Sequence, residues 1–252
     1  MGSFCLQPTI SDKEMDIQHY RELGQREIIN ENKFVINFQI LDDSGDIKRH
    51  NNSILLEVIH VDTINSTMPA SREYIDQGNR LPFIYNTVIQ TQGKGKGDRK
   101  WAGSIVGNIY TSSSIPLSMI KKEINSIEIL VKITAISIIQ KLRNYSKDKF
   151  FLKYPNDIIC IDKKKLGGIL VELYKDFYII GFGINIVDKP EQKEIRKEGL
   201  SPCFVNEHLT KGDKKPQALE LSIEITKQII YNLKHSSEQI DRLFDKYVKK
   251  EN

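Results

Sequence analysis

The sequence predicts an α+β protein in which a mixed or mainly antiparallel sheet carries helices packed on one face. Three observations lead to this class: an alternating apolar strand over residues 34–40, four short strands in quick succession between residues 150 and 186, and two amphipathic helices that end the chain. Turns of a few residues join antiparallel strands, whereas parallel strands need long crossovers. A mainly antiparallel sheet with helices packed against one face is typical of α+β proteins.

The strands follow from alternating or continuous apolar runs bounded by turn residues. In chain order they are predicted over 34–40, 54–61, 84–89, 104–113, 150–154, 157–161, 166–173 and 177–186.

Helices are predicted from apolar spacing and from their start and stop residues. A polar stretch, Asp12–Ile28, can form the first. A second follows Asn65 with a Ser or Thr cap, has Pro69 in its first turn and stops at Gly78. A third begins after Ser126, and its core stripe is Ile127, Val131, Ala135, Ile138 and Leu142. The last two lie over 219–233 and 240–248.

Charge and cysteine content narrow the function classes. The formal net charge of +4 is small, whereas a nucleic-acid binder without sequence preference usually carries a larger net positive charge. Cys5, Cys160 and Cys203 are odd in number and far apart, without metal-ligand or redox spacing, so reduced packing thiols are predicted. No signal peptide and no apolar run of membrane-spanning length are recognised. A cytoplasmic protein without a membrane partner is expected.

The segment Gln90–Trp101 reads Q-T-Q-G-K-G-K-G-D-R-K-W and follows a predicted strand. Glycine at every second position lets backbone N–H groups converge on an anion, while the interleaved lysines supply positive charge. The segment therefore predicts a loop that closes over phosphate or carboxylate. A solvated basic turn is the alternative that this segment alone leaves open.

Three further segments make the ligand-binding interpretation stronger. Lys153–Asp157 (K-Y-P-N-D) places a proline turn between two strands, next to a cation and a carboxylate. Lys165–Leu170 (K-L-G-G-I-L) puts paired glycines inside a strand, where they indicate a bulge or a close approach of ligand or backbone. Gly181–Ile186 (G-F-G-I-N-I) ends an apolar strand with an asparagine that needs hydrogen-bond partners if it is buried.

Taken in this order, these segments resemble the biotin protein ligases. The segment Gln90–Trp101 looks like the family's biotin-binding loop, which usually carries arginines as G-R-G-R, and K-Y-P-N-D resembles its K-W-P-N-D. K-L-G-G-I-L and G-F-G-I-N resemble the next two blocks, and Asn65–Met68 resembles the Ser-Thr-Asn block. The resemblance covers roughly residues 54–247. It implies the catalytic-domain fold of biotin and lipoate ligases, which is similar to class II aminoacyl-tRNA synthetases.

The resemblance also implies a reaction in two halves. Biotin is adenylated by ATP to biotinyl-5′-AMP, with Mg²⁺ accompanying the nucleotide, and the biotinyl group then passes to a lysine of a biotin carboxyl carrier protein or carboxylase. Negative charge builds up on phosphate oxygens in the first half, so fixed cations and N–H groups aimed there supply most of the catalysis. Lipoate or octanoate ligases of the same fold, and a nucleic-acid-binding module that uses the basic loop, remain the alternatives.

Site residues are implied position by position. The residues implied to bind biotin are Ser66, Thr67, Met68, Gln90, Lys94, Gly95, Lys96, Lys153 and Gly168. Those implied to contact the nucleotide are Lys94, Lys96, Trp101, Asn156, Lys165 and Asn185. Lys153 would hold the biotin carboxylate, and Lys153 and Lys96 are the implied catalytic residues. For Trp101 and Asn185, core packing and a satisfied buried amide remain open. The metal ligands are unknown, with Asp157 as a candidate.

The sequence departs from the family in several places. Lysines replace both loop arginines, so phosphate should be bound with a less defined geometry. Met68 stands at a position where the family often has asparagine. Residues 1–50 are predicted to be an extension, a helix plus a strand that can join the core sheet, and residues 51–252 the catalytic domain. The extension lacks a helix-turn-helix pattern, so no DNA partner is expected. A C-terminal β-barrel is expected to be absent, and a homodimer through a sheet edge is open.

Overall fold

The computed structural model describes residues 25–39, 53–146, 149–187, 200–209 and 214–248. Within them nine strands form one sheet in the order β1-β2-β3-β4-β5-β9-β8-β7-β6. The strands are β1 (Gln25–Asn30), β2 (Lys33–Gln39), β3 (Ser53–Ile64), β4 (Phe83–Gln90), β5 (Ile109–Pro116), β6 (Phe150–Lys153), β7 (Asp157–Cys160), β8 (Lys165–Tyr174) and β9 (Phe177–Ile184). Neighbouring strands are antiparallel except β3 and β4, which run parallel. The predicted mixed, mainly antiparallel sheet is confirmed.

Four α-helices accompany the sheet in the described ranges. They are α1 (Thr67–Asp76), α2 (Ile127–Leu142), α3 (Ala218–Asn232) and α4 (Ser237–Tyr247). The parallel pairing of β3 and β4 needs a crossover, and α1 supplies it. Ser126 caps α2 as predicted, since its side chain accepts a hydrogen bond from the backbone N–H of Ile129. None of these helices combines the length and the apolar character that a membrane span requires.

Helices lie on both faces of the sheet. Ile84 of β4 and Ile180 of β9 belong to the main core, against which α2, α3 and α4 pack. Their neighbours Phe83 and Ile179 belong instead to a second apolar cluster, which contains Met68 of α1. Successive side chains of a strand point to opposite faces. Three helices therefore share one face, whereas α1 covers the other and helps to build the site described below, so the prediction that the helices pack on one face is wrong for α1.

Local structure differs from the sequence prediction at three places. Of the helix predicted over Asp12–Ile28, residues 12–24 lie outside the described residues. The remaining four residues, 25–28, belong to β1. Pairing of β1 with β2 overrides helix propensity there. The extended stretch predicted from Ser104 begins only at Ile109. Ile127 is 48% exposed because it is the first residue of α2, and the helix buries residues that begin one turn later.

The prediction of reduced, unpaired cysteines is wrong for two of the three. A disulfide joins Cys160, the last residue of β7, to Cys203, with a Cα–Cα distance of 6.6 Å. The two lie 43 residues apart in sequence, so local spacing could not reveal the pair. They meet because β8 pairs with β7 and because Lys165 of β8 forms a parallel bridge with Pro202. Cys5 lies outside the described residues.

The residues predicted to form an extension are partly built into the core sheet. β2 pairs with β3 from Lys33 to Gln39, and Phe34, Ile36 and Phe38 are buried in the main core. The division of the chain at residue 50, and the absence of a C-terminal barrel, stay predictions.

Candidate active site

A cavity of about 850 Å³ lies over the sheet where the N-terminus of α1 and strands β4, β8 and β9 meet the segment 91–104. Its volume is in the range usual for small-molecule sites. Of the residues predicted to form a site, its wall contains Ser66, Thr67, Met68, Gln90, Lys94, Gly95, Lys96, Trp101, Asn156, Lys165 and Gly168. The chain thus brings together motifs that lie up to about a hundred residues apart in sequence.

One end of the wall is organised by Gln90, the last residue of β4. Its Oε1 accepts hydrogen bonds from the backbone N–H of Thr67 at 2.8 Å and from the Thr67 hydroxyl at 3.2 Å. Ser112 in turn donates to the Thr67 hydroxyl at 2.8 Å. Because the Gln90 oxygen is engaged, its amide NH₂ is the group that can address a ligand. Ser66 holds the N-cap position of α1 without a side-chain cap bond, which leaves its hydroxyl for the same purpose.

The glycine-lysine segment forms a small hairpin. Lys94 and Lys100 form an antiparallel bridge, and the N–H of Gly95 donates to the carbonyl of Arg99 at 2.8 Å. At the tip Gly97 has a φ of +66°, a conformation that glycine adopts without steric cost. We call residues 93–101 the cationic hairpin. It closes one side of the cavity with its backbone already hydrogen-bonded.

The glycines of β8 and β9 form a floor that lets two side chains approach the sheet. A Cβ at Gly183 would lie 2.3 Å from Cε2 of Trp101, and one at Gly168 would lie 3.1 Å from its Cζ3. A Cβ at Gly181 would lie 2.7 Å from Sδ of Met68. Glycine inside a strand therefore marks a close approach here, as the sequence indicated.

Positive charge dominates the cavity wall. Its cationic residues are Lys94, Lys96, Arg99, Lys100 and Lys165, and among the lining residues Asp157 is the one anion. Lys165 Nζ lies 2.6 Å from Asp157 Oδ1 and 5.6 Å from the centroid of the Trp101 ring, within the range of a cation–π contact. Such an excess of cations in a concave site attracts anionic ligands.

Two predicted site residues lie off this wall. Lys153 is exposed at the end of β6 and sits opposite Asp157 in the β6–β7 pairing, so it stands beside the cavity. Asn185 is 2% exposed. Its Nδ2 donates to the carbonyls of Lys165 and Cys203, both at 3.4 Å, so the amide ties two backbone segments together.

Sequence reasoning missed Arg99 and Leu200, which also line the cavity. Arg99 lies inside the glycine-lysine segment, and its cationic side chain beside the glycines was the signal that could have predicted it. Its Nε donates to the carbonyl of Lys96 at 3.1 Å, which orients the guanidinium along the cationic hairpin. Leu200 carries no motif, and only the fold brings it to the site.

The sheet, its helices and the cavity define the catalytic-domain fold of biotin protein ligases. A biotin protein ligase from Leishmania major, solved with biotin, superposes with a TM-score of 0.67 at 25% identity, covering 77% of this chain and 81% of that one. The enzyme from Aquifex aeolicus, solved with biotin and ATP, gives a TM-score of 0.61 at 25% identity, with 76% and 78% covered. Residues 61–185 match the biotin/lipoate A/B protein ligase family. This match covers just under half of the chain.

Similar sequences are ligases that are longer than the matched segment. The human biotin–protein ligase is 32% identical over 114 residues, which cover 43% of this chain and 16% of the human protein. The bifunctional ligase/repressor BirA of Salmonella typhimurium is 30% identical over 115 residues, which cover 44% of this chain and 35% of that protein. The match thus spans well under half the length of either relative.

Proposed function

We propose that this chain is an ATP-dependent biotin protein ligase. A carboxylate oxygen of biotin attacks the α-phosphorus of ATP, pyrophosphate leaves, and biotinyl-5′-AMP forms. The amine of an acceptor lysine then attacks the acyl carbon, an amide forms, and AMP leaves. The acceptor is a biotin carboxyl carrier protein or the corresponding domain of a carboxylase. The relatives named as biotin protein ligases support this reaction over others of the family.

The observation that carries the proposal is a single cavity whose wall joins a polar end to the cationic hairpin. At the polar end, the NH₂ group of Gln90 and the hydroxyl groups of Ser66 and Thr67 would hydrogen-bond the ureido ring of biotin. Met68 packs against Gly181 and offers an adaptable apolar contact to the remainder of the biotin ring system. The same few polar groups that fix the orientation of α1 would therefore select the ligand.

The cationic hairpin would hold the phosphates and the adenylate. Lys94 and Lys96 supply point charges, and Gly95 lets the backbone come close. Arg99 adds a planar guanidinium that can bind two phosphate oxygens at once, which a lysine cannot do. Lysines in place of the family's arginines are expected to bind phosphate with a less defined geometry, and Arg99 in the same hairpin would partly offset this.

Asp157 fits a role in holding Mg²⁺. Mg²⁺ at nucleotide sites is usually bound by one or two carboxylates together with substrate phosphates, and Asp157 is the carboxylate on the cavity wall. The ion would supply charge neutralisation between phosphate oxygens. Asn156, next in the chain, donates from Nδ2 to the carbonyl of Ile169 at 2.9 Å and so holds the turn that carries Asp157 against β8.

Two lysines are candidates for the carboxylate-binding role. Lys153 has the position that the family motif assigns to it and stands beside the cavity. Lys165 is on the wall and is held by Asp157, and Gly168 keeps the space above it open. Trp101 and Asn185 would act on the nucleotide side, Trp101 by stacking and Asn185 through the backbone that it fixes.

Biotin-dependent ATP–pyrophosphate exchange with the full chain tests the proposal. We expect exchange only with biotin present, and a loss of about 100-fold or more in Lys96→Ala, as is typical when one charge-stabilising group is removed. Lys153→Ala and Lys165→Ala, measured in parallel, identify which lysine serves the carboxylate. Lys122→Ala, at an exposed position that is not on the cavity wall, is the matched control. Absence of both exchange and biotin binding would refute the proposal.

Competition between biotin and lipoate in the same assay distinguishes the two acids that the family uses. We expect biotin to be preferred because Gln90, Ser66 and Thr67 are placed to pair with a ureido ring, which lipoate lacks. A preference for lipoate would keep the adenylation chemistry but change the substrate. Ligand binding should also depend far less on salt than the binding of nucleic acid by a basic loop.

The cytoplasmic location, the lack of a DNA partner and a homodimer through a sheet edge belong to the same proposal. Size-exclusion chromatography coupled to light scattering measures the oligomeric state directly. Transfer of biotin to a purified biotin carboxyl carrier domain, detected with labelled streptavidin, tests the acceptor class.

A further inference from the structure

Four potential metal ligands from two separate segments converge beside the active-site cavity. Cys160 ends β7, Asp162 lies in the turn to β8, and Cys203 and His208 belong to the segment 200–209. One ligand atom from each of the four lies within 4.8 Å of the others. The set therefore comprises two sulfurs, one imidazole nitrogen and one carboxylate oxygen.

The geometry of His208 supports a ligand role. Its Nε2 is buried and has no hydrogen-bond partner within the described residues, and such orphaned polar atoms call for an explanation. The ring packs edge-on against Phe150, with centroids 5.7 Å apart, and Ser146 donates to the His208 carbonyl at 2.9 Å. The imidazole is thus held in place, although no group in the described part of the chain pairs with its Nε2.

Two thiolates, an imidazole and a carboxylate suit Zn²⁺. Bonds of about 2.0–2.3 Å in a tetrahedron put neighbouring ligand atoms roughly 3.3–3.8 Å apart, so the four groups need only small movements to close around an ion. Hard cations such as Mg²⁺ prefer oxygen ligands and would not select this set. The S–S bond of Cys160 and Cys203 occupies the sulfur positions, so the disulfide and a metal exclude each other.

We propose that Cys160, Asp162, Cys203 and His208 form a zinc site that replaces the disulfide when the protein is reduced. A dithiol reductant breaks the S–S bond, supplies two electrons and two protons, and is itself oxidised to a disulfide. Zn²⁺ then displaces both thiol protons, which leave to solvent. Disulfides are rare in reducing compartments, where the metal form keeps the two segments linked.

The exchange between disulfide and zinc takes place next to residues that we propose to contact the nucleotide. The N–H of Cys203 donates to the carbonyl of Lys165 at 2.9 Å, and the Cys203 carbonyl accepts from Asn185. In the reduced, metal-free protein, neither a disulfide nor a metal ion links the segment 200–209 to β7. Any effect on ATP rests on the proposed function, whereas metal binding does not.

Zinc stoichiometry measured on the full chain tests the proposal without using activity. The protein is reduced with dithiothreitol, freed of reductant by anaerobic gel filtration, loaded with Zn²⁺ and filtered again. Mass spectrometry of the bound metal should give one Zn²⁺ per chain after reduction and none for the oxidised form. Of the three cysteines, we expect Zn²⁺ to protect two from a thiol reagent.

Variants decide whether these four residues hold the ion. We expect Cys203→Ser to lose the bound Zn²⁺ and His208→Ala to weaken Zn²⁺ binding at least about 100-fold, beyond the 10–100-fold typical of outer-shell changes. The control His235→Ala should keep full affinity. If Cys203→Ser does not fold by circular dichroism, His208→Ala and the exposed Asp162→Asn carry the test. Undiminished zinc in His208→Ala, or equal zinc in the oxidised protein, overturns the proposal.

Discussion

Gln90 serves two purposes at the scale of a single residue. Its oxygen takes both hydrogen-bond donors of Thr67, which fixes the first turn of α1 against the end of β4. Its amide nitrogen is thereby left for the ligand-binding role that we propose. Because this buried amide has a structural role and a proposed recognition role, substitution should affect both stability and binding.

Gln90→Ala should lower the free energy of unfolding by about 1–3 kcal/mol, because the buried N–H and hydroxyl of Thr67 lose their acceptor. Biotin affinity should fall at least about tenfold, which corresponds to roughly 1.4 kcal/mol. Urea denaturation and isothermal titration calorimetry measure the two effects. Gln92→Ala, two residues on and exposed, is the matched control and should change neither quantity. Loss of stability with unchanged biotin affinity would limit Gln90 to a structural role.

At the scale of elements, the cationic hairpin is positioned through the contact of Trp101 with the glycines of β8 and β9. Gly183→Ala puts a Cβ 2.3 Å from the indole, so the ring must leave the sheet and the hairpin loses its anchor. Trp101 is the only tryptophan, and its emission should therefore shift to the red. The loss of stability should be about 1–3 kcal/mol.

Gly168→Ala provides a graded comparison, since its Cβ would lie 3.1 Å from the same ring. A smaller red shift is expected, and ATP affinity should decrease in the same order as the fluorescence changes. Equal spectra for both variants and the parent protein would show that the contact does not hold the hairpin.

The α2–α3 pair carries a pH-dependent contact. Lys141 of α2 and Lys227 of α3 bind the two carboxylate oxygens of Glu224 at 3.0 and 2.9 Å. Burial alone would raise the pKa of Glu224, but the two ammonium groups outweigh it and hold the pKa below the ordinary value of 4.5. A lowered folded-state pKa stabilises the protein above the unfolded pKa, and this stabilisation is lost as the pH falls through the folded value.

Glu224→Gln should therefore cost about 1 kcal/mol of unfolding free energy near pH 7, because the carboxylate is 30% exposed. The difference from the parent protein should shrink below about pH 4.5 and vanish in stronger acid. Urea denaturation across this range measures it. Glu238→Gln is the control, since that carboxylate is 86% exposed and only 4.0 Å from Arg242. A pH-independent difference would mean that packing rather than charge is responsible.

At the scale of the whole molecule, the sequence predicted the elements with local signatures. Periods of two and of three to four residues revealed the strands and helices, and Ser126 marked the start of α2. The paired glycines of the segment 165–170 predicted either a bulge or a close approach, and the structure shows a register shift in the β7–β8 pairing there together with the contact between Gly168 and Trp101. Eleven of the predicted site residues lie on the cavity wall, and they were predicted from the resemblance to biotin protein ligases rather than from local periods.

What the sequence could not show depends on contacts between distant segments. The disulfide of Cys160 and Cys203 needs β8 to bring its two segments together. β1 is a strand because β2 pairs with it, and α1 covers the second face because the parallel β3–β4 pair needs a crossover. Such long-range pairings leave no local period, so local patterns predicted a helix at β1 and unpaired thiols.

The β1–β2 hairpin decides whether residue 50 is a domain boundary. Ile36 is 1% exposed within the main core, so Ile36→Ala should lower the unfolding free energy by about 2–5 kcal/mol. Ile28→Ala, at a position 67% exposed, should change it by less than about 0.5 kcal/mol. A chain that begins at residue 51 loses β2 altogether, and β3 then loses its backbone partners on that edge while it keeps its pairing with β4.

For that shortened chain we expect loss of cooperative unfolding, because the apolar side chains of β2 each contribute about 1.5–3 kcal/mol to a total stability of about 5–15 kcal/mol. Calorimetry of the shortened and full chains measures this directly. Unchanged cooperativity and an unchanged Tm would establish residues 51–252 as an independent domain. Loss of cooperative unfolding would instead show that the first strands are part of the catalytic fold. In that case β3 needs β2 beside it to complete the sheet that carries α1 and the cavity.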